Sequence, residues 1–539
     1  MIKRVIQKMR IIAVIPAKAG SKVIPNQNVR IIAGHPLVYY AIQNARKSKY
    51  ISDVIVSTDS EEVGIVASQL GVRVKWRDKT LSKDDTSLDT VIYNTIQEEQ
   101  CDYVVTLQPT SPLLSVETLD NAIGYCISKE LDTLISVIND PRYSWHEING
   151  YFEPNYTERK DRHLLPANYV ETGAFLISKR DKITSKSRIG DNVDVFVVPF
   201  NEAYGIDSFE SLHIVKFIMQ RKKSAIYVNG NNERGMGHVY RSLEIADELY
   251  MNPDIYYNKK ETDISVFGDT KHKLIAVDGE EELLQACKKE GYSLFINDIL
   301  DTTVSYMKKL KEALPKAKIV NFEDNGDGIL EADIVFNALY SKSMLPYVYA
   351  GEKYYIAGRQ FLYYEPITIR DDVKNVLVSF GGADPQNYTE RLLQIISNDY
   401  YDQYDFTVVV GRANPNYENI NNYKKDNIHI LYDVKNMPEL MSKSDMAITS
   451  RGRTGYELAL MGIPTIAIAQ NHREETHDFV SNENGFSYIG LRPADNIIEG
   501  NLRMYLSMPK DIRQNFQDIM LSHDLRSGRS RVMGLINNI

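Results

Sequence analysis

Cysteine is scarce in this chain: Cys101, Cys126 and Cys287 stand far apart in 539 residues. Odd in number and widely spaced, they offer neither a disulfide framework nor a metal-ligand pattern, and a reducing cytoplasm suits them. Long apolar runs are missing as well. No window approaches the length needed to span a bilayer, and the apolar stretch after the basic start MIKRVIQKMR ends at Pro16 in a polar turn, unlike a secretory leader. A soluble, cytoplasmic protein without stable membrane insertion is expected. Excess positive charge is lacking too, since the formal net charge is −9. General nucleic-acid binding needs a basic face and is excluded, so any anion must be held locally. Neither a low-complexity tract nor a short-period repeat is present.

What is there is alternation. From residue 11 to about 220, short apolar runs such as VIVSTDS, YVVTLQPTS and TLISVI alternate with amphipathic stretches such as EEVGIVASQL. That order predicts an α/β fold with a mainly parallel sheet. A new strand, AIYVNG, restarts the pattern after a basic linker, and NVLVSF followed by Gly381-Gly382 restarts it again. Three blocks follow: residues 1–222, 223–368 and 369–539, the last two being Rossmann-like halves in tandem. The chain is longer than one hydrophobic core usually supports.

Glycine turns that directly follow strands mark two candidate sites. In the first, IPAKAGSKVIPNQN offers cations and backbone N–H groups to phosphate through Lys18, Gly20, Ser21 and Lys22. It is followed by Gly34-His35-Pro36-Leu37, by Ser57-Thr58-Asp59-Ser60 and by Leu107-Gln108-Pro109-Thr110-Ser111-Pro112-Leu113-Leu114. This set resembles the N-acylneuraminate (sialic acid) cytidylyltransferases over roughly residues 10 to 220. The resemblance implies a GT-A-like nucleotidyltransferase domain that moves CMP from CTP to a 2-keto nonulosonic acid with Mg²⁺. It implies that Lys18, Gly20, Ser21, Lys22 and Asn28 line the CTP, that Gln108 and Thr110 face the sugar acid, and that Glu171 lies on the product-side strand. Asp207 would be the metal ligand. A homodimer through this domain is also implied. The sequence departs from the family at Lys18, where arginine is usual, at Gln27, where a second lysine is expected, at Leu114, where arginine ends the motif, and at Gly205, where the metal motif has aspartate. Each missing charge weakens phosphoryl transfer, so a catalytically degenerate binding module stands as the alternative.

In the second site, Gly235-Met236-Gly237-His238 precedes the helical VYRSLEIADEL, placing His238 in a first helical turn. There it is either a general base or a capping histidine. Downstream lie Ser379-Phe380-Gly381-Gly382, Val410-Gly411 and Ser450-Arg451-Gly452-Arg453-Thr454-Gly455-Tyr456-Glu457, with Asn471-His472-Arg473-Glu474 beyond. Together these resemble the UDP-sugar hydrolase of the pseudaminic acid pathway, a GT-B-type fold that cleaves its substrate without a metal or other cofactor. The resemblance implies His238 as base, with Gly235, Gly237, Arg241, Gly381, Gly382, Arg453, Thr454, Glu457 and Asn471 around UDP and sugar. Asp298 and Asp324 end strands and either touch the sugar, orient water or cap helices. Tyr240 and Tyr456 flank the pocket. The chain thus reads as a bifunctional enzyme of nonulosonic acid biosynthesis, with a GT-B glycosyltransferase as the alternative for its second part.

Overall fold

The computed structural model describes residues 9–21, 23–83, 85–230, 237–340, 343–412 and 414–539. Lys22 and Gly235, both expected at a site, lie outside the described residues. The chain divides into two compact units, residues 1–221 and 222–539.

The first unit is built on a 7-stranded sheet. Its strands are β1 (Ile11–Pro16), β2 (Asp53–Thr58), β3 (Arg73–Trp76), β4 (Tyr103–Leu107) and β5 (Thr133–Asn139). An outlying hairpin, β6 (Trp145–Ile148) and β7 (Tyr151–Pro154), is followed by β8 (Tyr169–Lys179) and β9 (Val193–Val197). The order is β9-β5-β8-β4-β1-β2-β3. β8 runs antiparallel to β4 and β5, and the other pairs are parallel. The central strands are buried on both faces, so they read as unbroken apolar runs rather than alternating ones. Helices α1 (Leu37–Lys47), α2 (Glu61–Gln69), α3 (Leu88–Thr95), α4 (Val116–Ser128) and α5 (Phe209–Gln220) complete the unit. Serine side chains cap α2, α4 and α5, accepting from Val63, Thr118 and Ser211 N–H groups that the helices leave unpaired.

The second unit holds two sheets, each wholly parallel. In the first half these are β10 (Ser224–Val228), β11 (Asp254–Asn258), β12 (Lys273–Val277), β13 (Leu294–Asp298), β14 (Lys318–Phe322), β15 (Ile334–Asn337) and β16 (Val348–Ala350). They are ordered β12-β11-β10-β13-β14-β15-β16. Helix α6 (Gly237–Glu248) follows β10, and α7 (Glu280–Glu290) and α8 (Val304–Ala313) complete the half. The second half comprises β17 (Asn375–Ser379), α9 (Tyr388–Ile396), β18 (Asp405–Val410), α10 (Tyr417–Asn421), β19 (Ile428–Tyr432), α11 (Met437–Lys443), β20 (Met446–Ser450), α12 (Arg453–Met461), β21 (Thr465–Ala469), α13 (His472–Glu475) and β22 (Phe486–Leu491). Its order is β19-β18-β17-β20-β21-β22. Helices α14 (Asp495–Leu506) and α15 (Lys510–Leu521) cover this sheet, whereas the last helix, α16 (Gly528–Asn538), returns to the first half, where Val532, Met533 and Ile536 join the core formed by Ile226, Val228 and Phe336. Two Rossmann-like halves with a returning terminal helix give the GT-B-type arrangement. In both halves the candidate residues lie on loops that leave the carboxyl ends of the strands, the usual ligand position in such sheets.

Candidate active sites

In the first unit three loops at strand ends are tied together. After β1, the Ala19 N–H donates to Asp59 Oδ1 at 2.8 Å, Ser21 Oγ accepts from Ile24 N–H at 3.3 Å and Asn28 Nδ2 donates to the Lys18 carbonyl at 2.9 Å. Among the described residues no heavy atom lies within 4 Å of where a Cβ on Gly20 would stand. Gln27 Nε2 donates to the Ile206 carbonyl at 2.7 Å, which fastens this loop to the segment holding Gly205 and Asp207. That segment is fastened in turn to the sugar-side motif, because Ile206 N–H donates to the Thr110 carbonyl at 2.8 Å. Gln108 lies against Gly173, whose φ of 70° breaks the register of β8 just after the exposed Glu171. Asp207 is exposed on the same segment.

Two departures from the family acquire a physical reading. Leu114 is 4% exposed and packs in the main core with Val38, Leu107 and Leu119, so this position faces away from the loops and an arginine here would be buried. Gly205 is different. A Cβ there would make only ordinary contacts of 3.9–4.0 Å with Thr110, Thr172 and Ser111, so a carboxylate would fit. Sequence reasoning missed Arg77, which follows β3 and donates from Nε to Ser57 Oγ at 3.0 Å and from Nη2 to the Ser57 carbonyl at 2.8 Å. Burial pulls its guanidinium below the usual range, with Asp59 opposing. The only sequence signal was an arginine directly after a short edge strand.

In the second unit His238 lies in the first turn of α6, 8% exposed. Its Nδ1 meets Asp298 Oδ1 at 2.5 Å. Arg241, one turn on, donates from Nε to Asp298 Oδ2 at 2.9 Å and from Nη1 to Glu323 Oε1 at 3.2 Å, while Ser242 Oγ donates to Asp298 Oδ2 at 3.2 Å. Burial pushes the Asp298 carboxyl up, but Arg241 and His238 more than reverse this and hold it at about 2. An ionised carboxylate only accepts, so His238 must carry its proton on Nδ1, and the Arg241 Nη2 contact to that nitrogen, at 3.1 Å, is proximity rather than a hydrogen bond. Nε2, with no hydrogen-bond partner among the described residues, is left as the basic nitrogen. Arg241, expected beside the nucleotide, is instead 3% exposed and held by two carboxylates. Asp324 is fully buried and accepts from Thr302, Asn321 and Gly326, so it braces loops.

In the second half Gly381 and Gly382 follow β17, and Arg453, Thr454 and Glu457 lie in the first turns of α12, which follows β20. Gly381 has φ 80°, and Gly382 is open where a Cβ would stand. Gly411 packs on them so closely that a Cβ would lie 2.5 Å from Gly382 Cα. Arg453 begins α12 and reaches the first half: its Nη2 donates to the Ile356 carbonyl at 3.3 Å, its guanidinium lies 4.9 Å from the Tyr355 ring centre, and a Cβ on Gly237 would stand 2.5 Å from its Cδ. A side chain at position 237 would therefore make Arg453 shift. The Arg453 Nη1 is buried without a hydrogen-bond partner among the described residues. Burial pushes the Glu457 carboxyl up to about 7, opposed by Arg453, and likewise lifts Glu474 to about 7. Asn471 caps α13 through Glu474 N–H at 3.0 Å. Arg451 donates to the Val480 and Glu475 carbonyls. Tyr456 is fully buried, donating to the Ala338 carbonyl at 3.1 Å, whereas Tyr240 is 55% exposed.

The Cytidylyltransferase family profile matches residues 12–206. An uncharacterized protein of Methanocaldococcus jannaschii is 30% identical over 282 residues, which is 48% of this chain and 57% of that protein's length. The Bacillus subtilis spore coat polysaccharide biosynthesis protein SpsG is 28% identical over 305 residues, covering 53% of this chain and 89% of SpsG. The pseudaminic acid cytidylyltransferase of Campylobacter jejuni is 30% identical over 229 residues, 39% of this chain and 96% of the relative.

Proposed function

Because the chain belongs to the cytidylyltransferase family through residues 12–206, we propose that its first unit transfers CMP from CTP to a nonulosonic acid and that its second hydrolyses a UDP-linked amino sugar. In the first reaction a hydroxyl oxygen of the sugar acid bonds to the α-phosphorus of CTP and pyrophosphate leaves. The observation that carries this reading is the convergence of the loop through Gly20, the Gln108–Thr110 turn and the segment at Asp207. Backbone N–H groups and Lys18 would receive the phosphates, as is usual where such transfer relies on positioning and electrostatics. Mg²⁺ often takes only one or two protein carboxylates beside phosphate and water, so exposed Asp207 suits it, and the ion would offset phosphate charge. Pyrophosphate release from CTP, measured across several nonulosonic acids, tests this. A chain silent with all of them supports the binding-module alternative, which Gly205 favours.

In the second reaction His238 Nε2 takes a proton from water, the water oxygen bonds to the anomeric carbon, and the bond from that carbon to UDP breaks. The observation that carries this reading is the Asp298–His238 pair at the crevice, because the carboxylate fixes the tautomer that can accept. Arg453 and the N–H groups opening α12 would hold the diphosphate, with Glu457 at the ribose. UDP release from a UDP-diacetamido sugar in the absence of any acceptor tests it. Release only when an acceptor sugar is supplied would select the glycosyltransferase reading.

A further inference from the structure

We propose that Arg473 is a positioning residue, a guanidinium from the second half that fixes the Asp298–His238 pair of the first half through Glu323. Its kinetic consequence rests on the hydrolase reading, but its structural consequence does not.

Arg473 sits on α13, beside the crevice at Gly452 where Glu474 also lies. Its side chain crosses to the first half. Nε donates to Tyr340 Oη at 2.6 Å, Nη1 and Nη2 reach the two Asp301 oxygens at 3.1 and 3.3 Å, and Nη2 also donates to the Glu323 carbonyl at 3.2 Å. Glu323 has φ 52°, a left-handed conformation that a glutamate holds only when its surroundings insist on it. Its N–H donates to the Phe336 carbonyl at 2.8 Å, and its carboxylate accepts from Ala338 and Leu339 N–H groups and from Arg241. Of these partners Arg473 is the one that belongs to the other half. The turned backbone aims the Glu323 carboxylate at Arg241, Arg241 grips Asp298, and Asp298 sets the His238 ring. A ligand that moves α13 therefore bears on the imidazole without touching it. A planar fork holds these acceptors in fixed directions, whereas the three donors of a lysine ammonium rotate on a flexible stem.

The experiment compares full-length wild type with Arg473→Lys, Arg473→Ala and Asp301→Asn. One arm follows the downfield proton signal of His238 Nδ1–H by NMR, assigned by its loss in His238→Asn. The other measures kcat and KM for release of UDP from the UDP-sugar. The signal is expected to shift or broaden in all three variants, least in Asp301→Asn, and kcat to fall about tenfold in Arg473→Lys and Arg473→Ala with KM little changed. If the chain hydrolyses no UDP-sugar, the NMR arm still decides. A signal unmoved in Arg473→Lys and Asp301→Asn overturns the proposal, as does a loss confined to KM.

Discussion

Replacing Asp298 with asparagine separates the two roles that this carboxylate holds. The side chain keeps its volume but loses its charge, and it stands fully buried against Arg241, which is itself only 3% exposed. Removing one partner of a buried ion pair costs about 3–5 kcal/mol. Glu323 remains 3.2 Å from Arg241 and keeps part of the compensation, so a loss of about 2–3 kcal/mol is expected. The catalytic effect is separate. An asparagine can turn its NH₂ toward His238 Nδ1, which moves the ring proton to Nε2 and leaves nothing there to accept from water. The rate should fall by about 10²–10⁴, the full worth of a general base. His238→Asn is the reference: it leaves Arg241 paired with Asp298, so it should lose as much rate while costing less than about 1.5 kcal/mol. UDP release, urea unfolding and UDP calorimetry on the same preparations make the comparison. An Asp298→Asn protein of native kcat, or one that loses stability alone, would refute the assignment of Asp298 to the reaction.

Four further outcomes are expected. Glu457, raised to about 7 by burial, is neutral when UDP binds at low pH and negative above that value. UDP affinity should therefore weaken as pH rises through about 7, and Glu457→Gln should flatten that dependence in calorimetric titrations. The same shift means that stability is fully present below the ordinary carboxyl value of 4.5 and declines as pH rises through about 7; denaturant midpoints of the Gln variant should lack this slope. In the first unit, Gly205→Asp with Gln27→Lys should raise CMP transfer if the native domain is impaired, read as pyrophosphate release and compared with both single changes. Leu114→Arg, by contrast, should destabilise that unit by about 4 kcal/mol or more, because it buries an unpaired guanidinium; a thermal midpoint equal to wild type would show that the position opens to solvent.

The parallel sheets were legible because strands buried on both faces leave unbroken apolar runs, and the glycine turns followed them as punctuation. The antiparallel β8 and the hairpin at Trp145 and Tyr151 were not, since strand direction leaves no mark in composition and the hairpin carries exposed aromatics that resemble loop residues. At the second site His238 stood out by its place after glycines. Asp298 was legible only as a strand-end carboxylate with several open roles; its pairing with His238, 60 residues away, appears when the fold brings it to Nδ1. The carboxylates that hold Arg241 were out of view in the same way, because Asp298 and Glu323 lie far along the chain from it. Leu114 was likewise weighed as a lost cation, although its side chain points into the core.

The return of α16 to the first half means that the polypeptide crosses between the halves twice, once near residue 368 and once before Gly528, where a Cβ would stand 2.1 Å from the Tyr355 carbonyl. The halves also share a core in which Leu339, Tyr355 and Phe361 pack with Leu377, Tyr456 and Phe479, so separating them would expose that core and break the Arg453 and Arg473 contacts together.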